Sequence, residues 1–249
     1  MKIIKRGQVS VFIILAIIIV AVIIVYFIIM NIIDEKDTGN ENIAPEIQPI
    51  YDYMSECIFQ IGEDAIEYVS LRGGYYEIPD LSSDLEIPYF IYNGNIVMPS
   101  KEKINEQISL YLEKNVSYCA RNLYKYPDYK VSFDKVNVKT IIENEKVRFN
   151  VNFPLTLSKD NKNYVIENFE ESVDVRLGLV YDTITKINEE DSICLNCIHT
   201  LAFDNDVYID MIEYDDDFIF VIRDEHSKIN DKFFLFVFAN KYNNKENEL

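Results

Sequence analysis

An apolar run near the N-terminus constrains this chain more than any other feature. From Val9 to Ile33 the sequence contains no charged residue, and its polar side chains are Ser10, Tyr26 and Asn31. About 20 helical residues, at 1.5 Å each, cross the hydrocarbon core of a bilayer. A helix packed on a water-soluble core would keep a polar face, and this run has none. The run therefore predicts a transmembrane helix over residues 9–33.

The length and flanks of the run predict that it is retained in the membrane, and in which orientation. A removable secretory signal has a shorter apolar stretch, about 7–15 residues, that ends in small residues. Here the run is longer, and Asn31-Ile32-Ile33-Asp34 offers no such ending. Three basic residues precede the run, and basic flanks mark the cytoplasmic side. We expect a single-pass protein of the cell membrane, contacting lipid through residues 9–33, with a cytoplasmic N-terminus and an extracellular C-terminal domain.

The part that follows the run is strongly acidic. Three of the 24 basic residues and none of the 42 acidic residues precede residue 34, so residues 34–249 carry 21 basic and 42 acidic groups, a net charge of −21. Phosphate backbones repel such a domain, which excludes nucleic acid as a partner. A hydrophobic content of 49%, with 18 Tyr and 15 Phe, is too high for a disordered chain.

The chain divides into segments of different composition. The predicted fold class is α+β: an N-terminal transmembrane helix followed by an extracytoplasmic domain of helices packed on antiparallel sheet. The segments are a basic leader (1–8), the transmembrane helix (9–33), a polar linker (34–45), a helical and hairpin part (46–128) and a sheet-rich part (129–249).

Helical spacing dominates the first part of the domain. An apolar stripe from Ile47 to Val69 predicts a helix that Gly73-Gly74 terminate. Asn93-Gly94, between apolar runs, predicts a hairpin with a type I′ turn. Ser100 is placed to cap a second helix, whose inner face includes Cys119.

From residue 129 the apolar residues recur at every second position, the spacing of a β-strand. Residues 129–142, 146–157 and 164–177 predict three strands of an antiparallel meander. A hairpin is expected to turn at Asp215–Asp217, and residues 232–242 to form a last buried strand. Residues 176–190 are ambiguous and carry a weak helical stripe. The stretch after Cys197 is expected to be a strand.

Four cysteines lie after the apolar run. Cys57 and Cys119 fall on the apolar stripes of two predicted helices, so packing of those stripes would bring the sulfurs together. Outside the cell a disulfide is favoured, and the alternative is a pair of buried free thiols.

The Cys194-x-x-Cys197 motif leaves three interpretations open. A local structural disulfide is favoured by the compartment. A redox pair would need a helix N-terminus in a βαβ setting, whereas an acidic stretch precedes this motif. A zinc site with His199 would need further ligands, and His226 has no obvious partner in the sequence.

Other candidate sites are weaker. Asp215–Asp217 could bind calcium but lack alternating oxygen ligands, so an acidic hairpin tip is the better account. Asn115-Val116-Ser117 is a glycosylation sequon. The tyrosines and phenylalanines follow helix and strand spacing, which predicts core positions. We found no metalloprotease, nucleophile-elbow or phosphate-loop motif, and expect neither a cofactor nor an enzyme.

The leader resembles a known signal. Lys5-Arg6-Gly7-Gln8-Val9-Ser10 is similar to the class III (type IV prepilin-like) signal peptide of archaeal surface proteins. The resemblance implies cleavage between Gly7 and Gln8 by a prepilin-type peptidase on the cytoplasmic side, with the apolar helix retained. Pilins that polymerise usually carry Glu at the fifth mature position, where this chain has Phe12, so the resemblance supports anchoring more than fibre formation. The rest of the chain resembles uncharacterised archaeal membrane-anchored proteins.

These observations favour a non-enzymatic cell-surface protein with a structural or interaction role, in an envelope or a pilus-like assembly. One alternative is a membrane-tethered thiol-disulfide oxidoreductase or metal-binding protein that uses Cys194 and Cys197. Another alternative is an adhesin or ligand-binding ectodomain.

Overall fold

A computed structural model describes residues 43–189 and 195–242, together with Val20; at 195–197 it describes the backbone alone. The predicted leader, the predicted transmembrane helix apart from Val20, and linker residues 34–42 lie outside the described residues. Within the described part, no helix is both long and apolar enough to span a bilayer. The described residues from 43 to 242 belong to one compact unit.

The described unit is α+β, as predicted. Its helices are α1 (Gln48–Ser70), α2 (Lys101–Asn115), α3 (Ser117–Arg121), a 3₁₀ turn (Asn122–Lys125), α4 (Leu177–Asn188) and α5 (Leu195–Asn205). Its strands are β1 (Tyr89–Tyr92), β2 (Asn95–Ile96), β3 (Lys130–Phe133), β4 (Asn137–Ile142), β5 (Val147–Lys159), β6 (Lys162–Val173), β7 (Tyr208–Tyr214), β8 (Asp217–Ile229) and β9 (Lys232–Lys241).

Helix α1 follows its apolar stripe and ends at Ser70, and the predicted glycines lie in the turn that terminates it. Pro49 lies in its first turn, where the missing N–H costs nothing. Gly73 and Gly74 have φ of 60° and 85°, and Gly74 N donates to Val69 O at 2.9 Å. This is the left-handed ending that glycine favours. The unit itself begins slightly before the predicted boundary, since Ile43 and Ala44 already pack on the core.

The strands form two sheets, whereas the sequence suggested one. A five-stranded sheet has the order β2-β1-β9-β8-β7, and a second sheet joins β3 and β4 to β5, with β6 on the other side of β5. Helix α1 contacts strands of both sheets and also α2, which packs on β4. One core cluster therefore runs through both sheets and the helices.

The β1–β2 hairpin links the two predicted parts of the domain. Asn93 and Gly94 both have positive φ, which confirms the predicted turn. Strand β1 then pairs in parallel with β9 at the end of the chain. The parts 46–128 and 129–249 thus share a sheet, which a reading of local periodicity could not reveal.

The predicted strand over 129–142 is interrupted. It divides into β3 and β4, which pair with the second and first halves of β5 respectively. The register of β5 with β6 shifts between Asn152 and Leu155. Pro154 lies within that shift, and proline is tolerated there because it has no N–H to give to the ladder.

The prediction of a strand after Cys197 is wrong, because residues 195–205 form α5. The ambiguous stretch before the motif resolves as α4. Ile198 is buried in the main cluster and Leu201, three residues later, packs against it, which is too short a spacing to stand out as a helical stripe in the sequence.

Phenylalanine and tyrosine occupy different places in the unit. The largest fully buried side chains include eight phenylalanines, from Phe90 to Phe238, and no tyrosine. Of the 17 tyrosines that the structure describes, 16 are at least partly exposed, and Tyr89 is buried. The expectation of core positions therefore holds for these phenylalanines, and most of the described tyrosines pack against the core clusters while keeping part of the side chain exposed.

Candidate functional site

The first predicted site residues, Cys57 and Cys119, are joined by a disulfide. Cys57 lies on α1 and Cys119 on α3, with their Cα atoms 5.9 Å apart. Cys119 is fully buried and Cys57 partly buried. The bond closes a sequence separation of 62 residues and fixes α3, a helix of only five residues, against α1.

The remaining predicted site residues are placed as follows. Gly7, Gln8 and Cys194 lie outside the described residues, as does the side chain of Cys197, so their assigned roles stay predictions. Asn115 is the last residue of α2, and its Nδ2 donates to Tyr111 O at 2.8 Å. Glycosylation of Asn115 also stays a prediction.

The acidic hairpin tip has the predicted position but not a uniform environment. Asp215 and Asp216 are exposed in the β7–β8 turn. Asp217 is buried and accepts a hydrogen bond from Tyr89 Oη at 2.8 Å. Across the described residues, no three His, Cys, Asp or Glu side chains come close enough together to hold a metal ion.

A polar network that sequence reasoning missed surrounds Asp224. This carboxylate is fully buried on β8 and accepts hydrogen bonds from the Arg176 guanidinium, the Ser227 hydroxyl and His226 N. Arg176 also donates to Asp206 O at 3.0 Å. Residues 225–227 lie within a register shift between β8 and β9, so the bulge supplies two of the donors.

The electrostatics of this network favour the ionised carboxylate. Burial opposes ionisation of Asp224, but the bonds from Arg176, Ser227 and His226 outweigh it and lower the pKa of that carboxyl. The same pairing raises the pKa of Arg176. His226 Nε2 lies 2.6 Å from Asp206 Oδ2, which provides the partner that was not obvious in the sequence.

Serine, histidine and aspartate are all present in this network, but they are not arranged for nucleophilic catalysis. Ser227 Oγ donates to Asp224 and accepts from Arg176 N at 2.9 Å, while the His226 ring binds Asp206. An activated serine would need its hydroxyl on the imidazole. The arrangement instead ties β8 to the start of α4 and the α5–β7 turn.

Two open surface depressions carry tyrosines beside cations. One, of about 480 Å³, contains Tyr68, Arg72 and Tyr76; the other, of about 600 Å³, contains Tyr129 and Lys159. Arg72 lies 4.6 Å from the Tyr68 ring centroid, and Lys159 lies 5.0 Å from that of Tyr129. These are cation–π distances, so the cations are already engaged within the protein.

Polar groups in and beside the second depression are also bonded to other groups of the protein. Lys159 Nζ binds Asp128 at 3.1 Å, and Tyr164 Oη donates to Glu46. That bond raises the pKa of Tyr164 to about 12 and lowers the pKa of Glu46. These groups can contribute to a binding surface, but they do not form a reactive centre. No protein-family model, characterised protein or solved structure matches the chain.

Proposed function

We propose that this chain is a single-pass, membrane-anchored cell-surface protein with a non-enzymatic structural or interaction role. Residues 9–33 would anchor it in lipid, and the acidic α+β unit would stand outside the cell. The leader would be cut between Gly7 and Gln8 by a prepilin-type peptidase. Association with an envelope or a pilus-like assembly belongs to the same proposal.

The Cys57–Cys119 disulfide carries this proposal. Disulfides persist in oxidising compartments and are rare where thiol reductants keep cysteines reduced. The basic residues before the apolar run favour an extracellular, oxidising location for the unit. The proposed location and the disulfide are therefore consistent with each other, and they rest on different parts of the chain.

Intact mass and N-terminal sequencing of protein from its native membrane test the proposal. We expect a chain that begins at Gln8 and is four hydrogens lighter than the fully reduced form, since the proposal includes a second disulfide between Cys194 and Cys197. Gly7→Val should leave the chain starting at Met1, and Ser10→Ala should be processed normally. A wild-type chain that starts at Met1 would contradict processing, and four free thiols would contradict the oxidising location.

A ligand-binding or adhesive role is the second candidate, favoured by the exposed tyrosines. Tyrosine is enriched at protein interfaces because its ring is apolar and its hydroxyl can reach a polar partner. Tyr118 and Tyr124 are 55% and 74% exposed. A glycan or protein array with the purified chain would show selective binding that weakens in Tyr124→Ala, and no selective ligand would count against this role.

A thiol oxidoreductase role that uses Cys194 and Cys197 is the third candidate, and it rests on the C-x-x-C spacing. The setting differs from a βαβ redox fold, because α4 precedes the motif and α5, which contains Cys197, leads into the antiparallel strand β7. Insulin reduction that disappears in Cys194→Ser would support this role, and inert, fully oxidised cysteines would exclude it.

A further inference from the structure

One face of the five-stranded sheet is turned away from the core. Along β8, Phe220 and Ile222 belong to the main core cluster, so the alternate positions point to the opposite side. The strand registers then define an outer face on three strands: Tyr208, Asp210, Ile212 and Tyr214 on β7; Asp217, Ile219, Val221 and Arg223 on β8; Leu235, Val237, Ala239 and Lys241 on β9.

Side-chain contacts confirm this assignment. Arg223 lies 4.7 Å from the Tyr208 ring centroid, and Lys241 Nζ lies 3.5 Å from Asp217 Oδ1. Ile219 and Ala239 form a small satellite cluster that is separate from the main core.

Among the described residues, no helix contributes to the clusters on the outer face. The satellite cluster is completed by Tyr89, Ile87, Tyr92, Val97 and Val237, from strands and a loop. Tyr208, Ile212 and Tyr214 are 51%, 55% and 42% exposed. An apolar centre rimmed by tyrosine and arginine has the composition of a protein interface.

The charge of the outer face is unusual for this protein. Its twelve positions hold two cations, Arg223 and Lys241, and two carboxylates, Asp210 and Asp217. The face is therefore neutral, whereas residues 34–249 carry a net charge of −21. A second acidic copy would be repelled by most of the surface, but it can approach this face without that penalty.

Two oppositely charged residues, Asp217 and Arg223, lie on the outer face of β8. Each has an ion-pair partner in its own chain: Lys241 Nζ lies 3.5 Å from Asp217 Oδ1, and Glu225 Oε1 lies 3.2 Å from Arg223 Nε. The two residues stand at the opposite ends of the outer positions of β8.

We propose that the outer face binds the outer face of a second copy of this chain, in a two-fold symmetric dimer. The symmetry axis crosses the strands between Ile219 and Val221. Asp217 of each copy then lies opposite Arg223 of the other, because the two are equally distant from the axis. By the same symmetry Ala239 lies opposite Val237, and Tyr208 opposite Tyr214. An isologous contact requires such self-complementarity.

The size of the face sets the expected affinity. Strands about 4.8 Å apart, with a rise of about 3.3 Å per residue, give a contact of roughly 14 by 23 Å. That is about 320 Å² on each copy and roughly 640 Å² in total, below the 1,200 Å² or so of stable specific interfaces and in the range of weak, transient ones. We therefore expect a dissociation constant in the micromolar range.

The first test varies Ile212, which the proposed symmetry places opposite Asp210 of the second copy. Sedimentation velocity of the full chain in density-matched detergent measures the dissociation constant. Ile212→Asp should weaken the dimer at least tenfold, because the new carboxylate would face and repel Asp210 of the second copy. Ile212→Lys and the distant control Tyr124→Asp should change the constant less than threefold.

The second test exchanges the charges. Asp217→Arg and Arg223→Asp should each weaken the dimer at least tenfold, and the double variant should return to within threefold of wild type. If one of these single charge exchanges unfolds the unit, the Ile212 variants still test the dimer. Ile212 is 55% exposed, so its substitution should leave the fold intact. Wild-type chain that remains monomeric at 200 μM, or equal loss in Ile212→Asp and Tyr124→Asp, would overturn the proposal. So would a monomer in which Ile212→Cys is shielded from maleimide, since another segment of the chain would then cover the face.

Discussion

At the residue scale, the Asp224 carboxylate connects three elements that are distant in sequence. Arg176 at the start of α4 and Ser227 in the β8 bulge both bind it. A buried charge is tolerated only when it is paired and hydrogen-bonded. Removing either partner would leave the other buried and unpaired, which costs more than the pair contributes.

Asp224→Asn should lower the free energy of unfolding by about 3 kcal/mol at pH 7, because Arg176 loses its counter-charge. The folded state lowers the pKa of Asp224, so the stabilisation is present above the unfolded pKa of about 3.9. It is lost as the pH falls through the folded pKa, so the difference between variant and wild type should disappear in strong acid. Urea titrations across pH measure this, and exposed Asp204→Asn should change stability by less than about 0.5 kcal/mol.

Glu171 on β6 is the opposite case. Burial raises the pKa of its carboxyl, and the bond to Ser55 compensates only in part. The stabilising contribution is then present below the unfolded pKa, about 4.3, and is lost as the pH rises through the folded pKa. Glu171→Gln should therefore raise the melting temperature by about 2 °C at pH 7 and leave it unchanged near pH 3. The adjacent, exposed Glu170→Gln is the control, and an equal shift in both would refute the burial explanation.

At the element scale, close packing depends on two helical glycines that the sequence analysis did not single out. A Cβ on Gly178 in α4 would lie 2.4 Å from Glu143 O, a backbone atom. A Cβ on Gly62 in α1 would lie 2.5 Å from Phe149 Cε2, a side-chain atom. The Glu143 carbonyl can move only if the backbone of the β4–β5 turn moves, whereas the Phe149 ring can rotate. We therefore expect alanine to be tolerated less well at Gly178 than at Gly62.

Gly178→Ala should destabilise the unit by about 1–3 kcal/mol, because α4 must move away from the β4–β5 turn. Gly62→Ala should cost less, since the Phe149 ring can shift slightly and alanine favours the helix by about 1 kcal/mol. Guanidinium titrations of both variants measure the difference. If Gly62→Ala were the more damaging, the close approach at Gly178 would not be the limiting contact.

The elements that the sequence predicts well are those with a strong local signal. The stripe of α1, the Asn93-Gly94 turn and the alternation along β5 and β6 each specify their own structure. The parallel pairing of β1 with β9 and the bond of Arg176 to Asp224 depend on residues 48 or more positions apart. No local period encodes such contacts. The helix at 195–205 was missed because, among its described side chains, Ile198 and Leu201 alone pack on the core cluster.

At the scale of the whole molecule, the Cys57–Cys119 bond holds α1 against the short α3. The double variant Cys57→Ser/Cys119→Ser should lose about 4 kcal/mol of stability, since the bond closes a loop of about 60 residues in the unfolded chain. Thermal unfolding with and without reductant measures this. Reductant should lower the melting temperature of the wild type. In the double variant this bond is absent, so its loss cannot contribute to any effect of reductant. A wild type indifferent to reductant would contradict a structural role for the bond.

The proposed surface role requires the acidic unit to lie on the extracellular side of the membrane. Membrane-impermeant lysine labelling of intact cells, followed by peptide mapping, tests this directly. Exposed lysines of the unit, such as Lys103 and Lys232, should be labelled to the same extent in intact and lysed cells, whereas a cytoplasmic marker protein should be labelled only after lysis. If these lysines reacted only after lysis, the unit would lie inside the cell and the proposed surface location would be wrong.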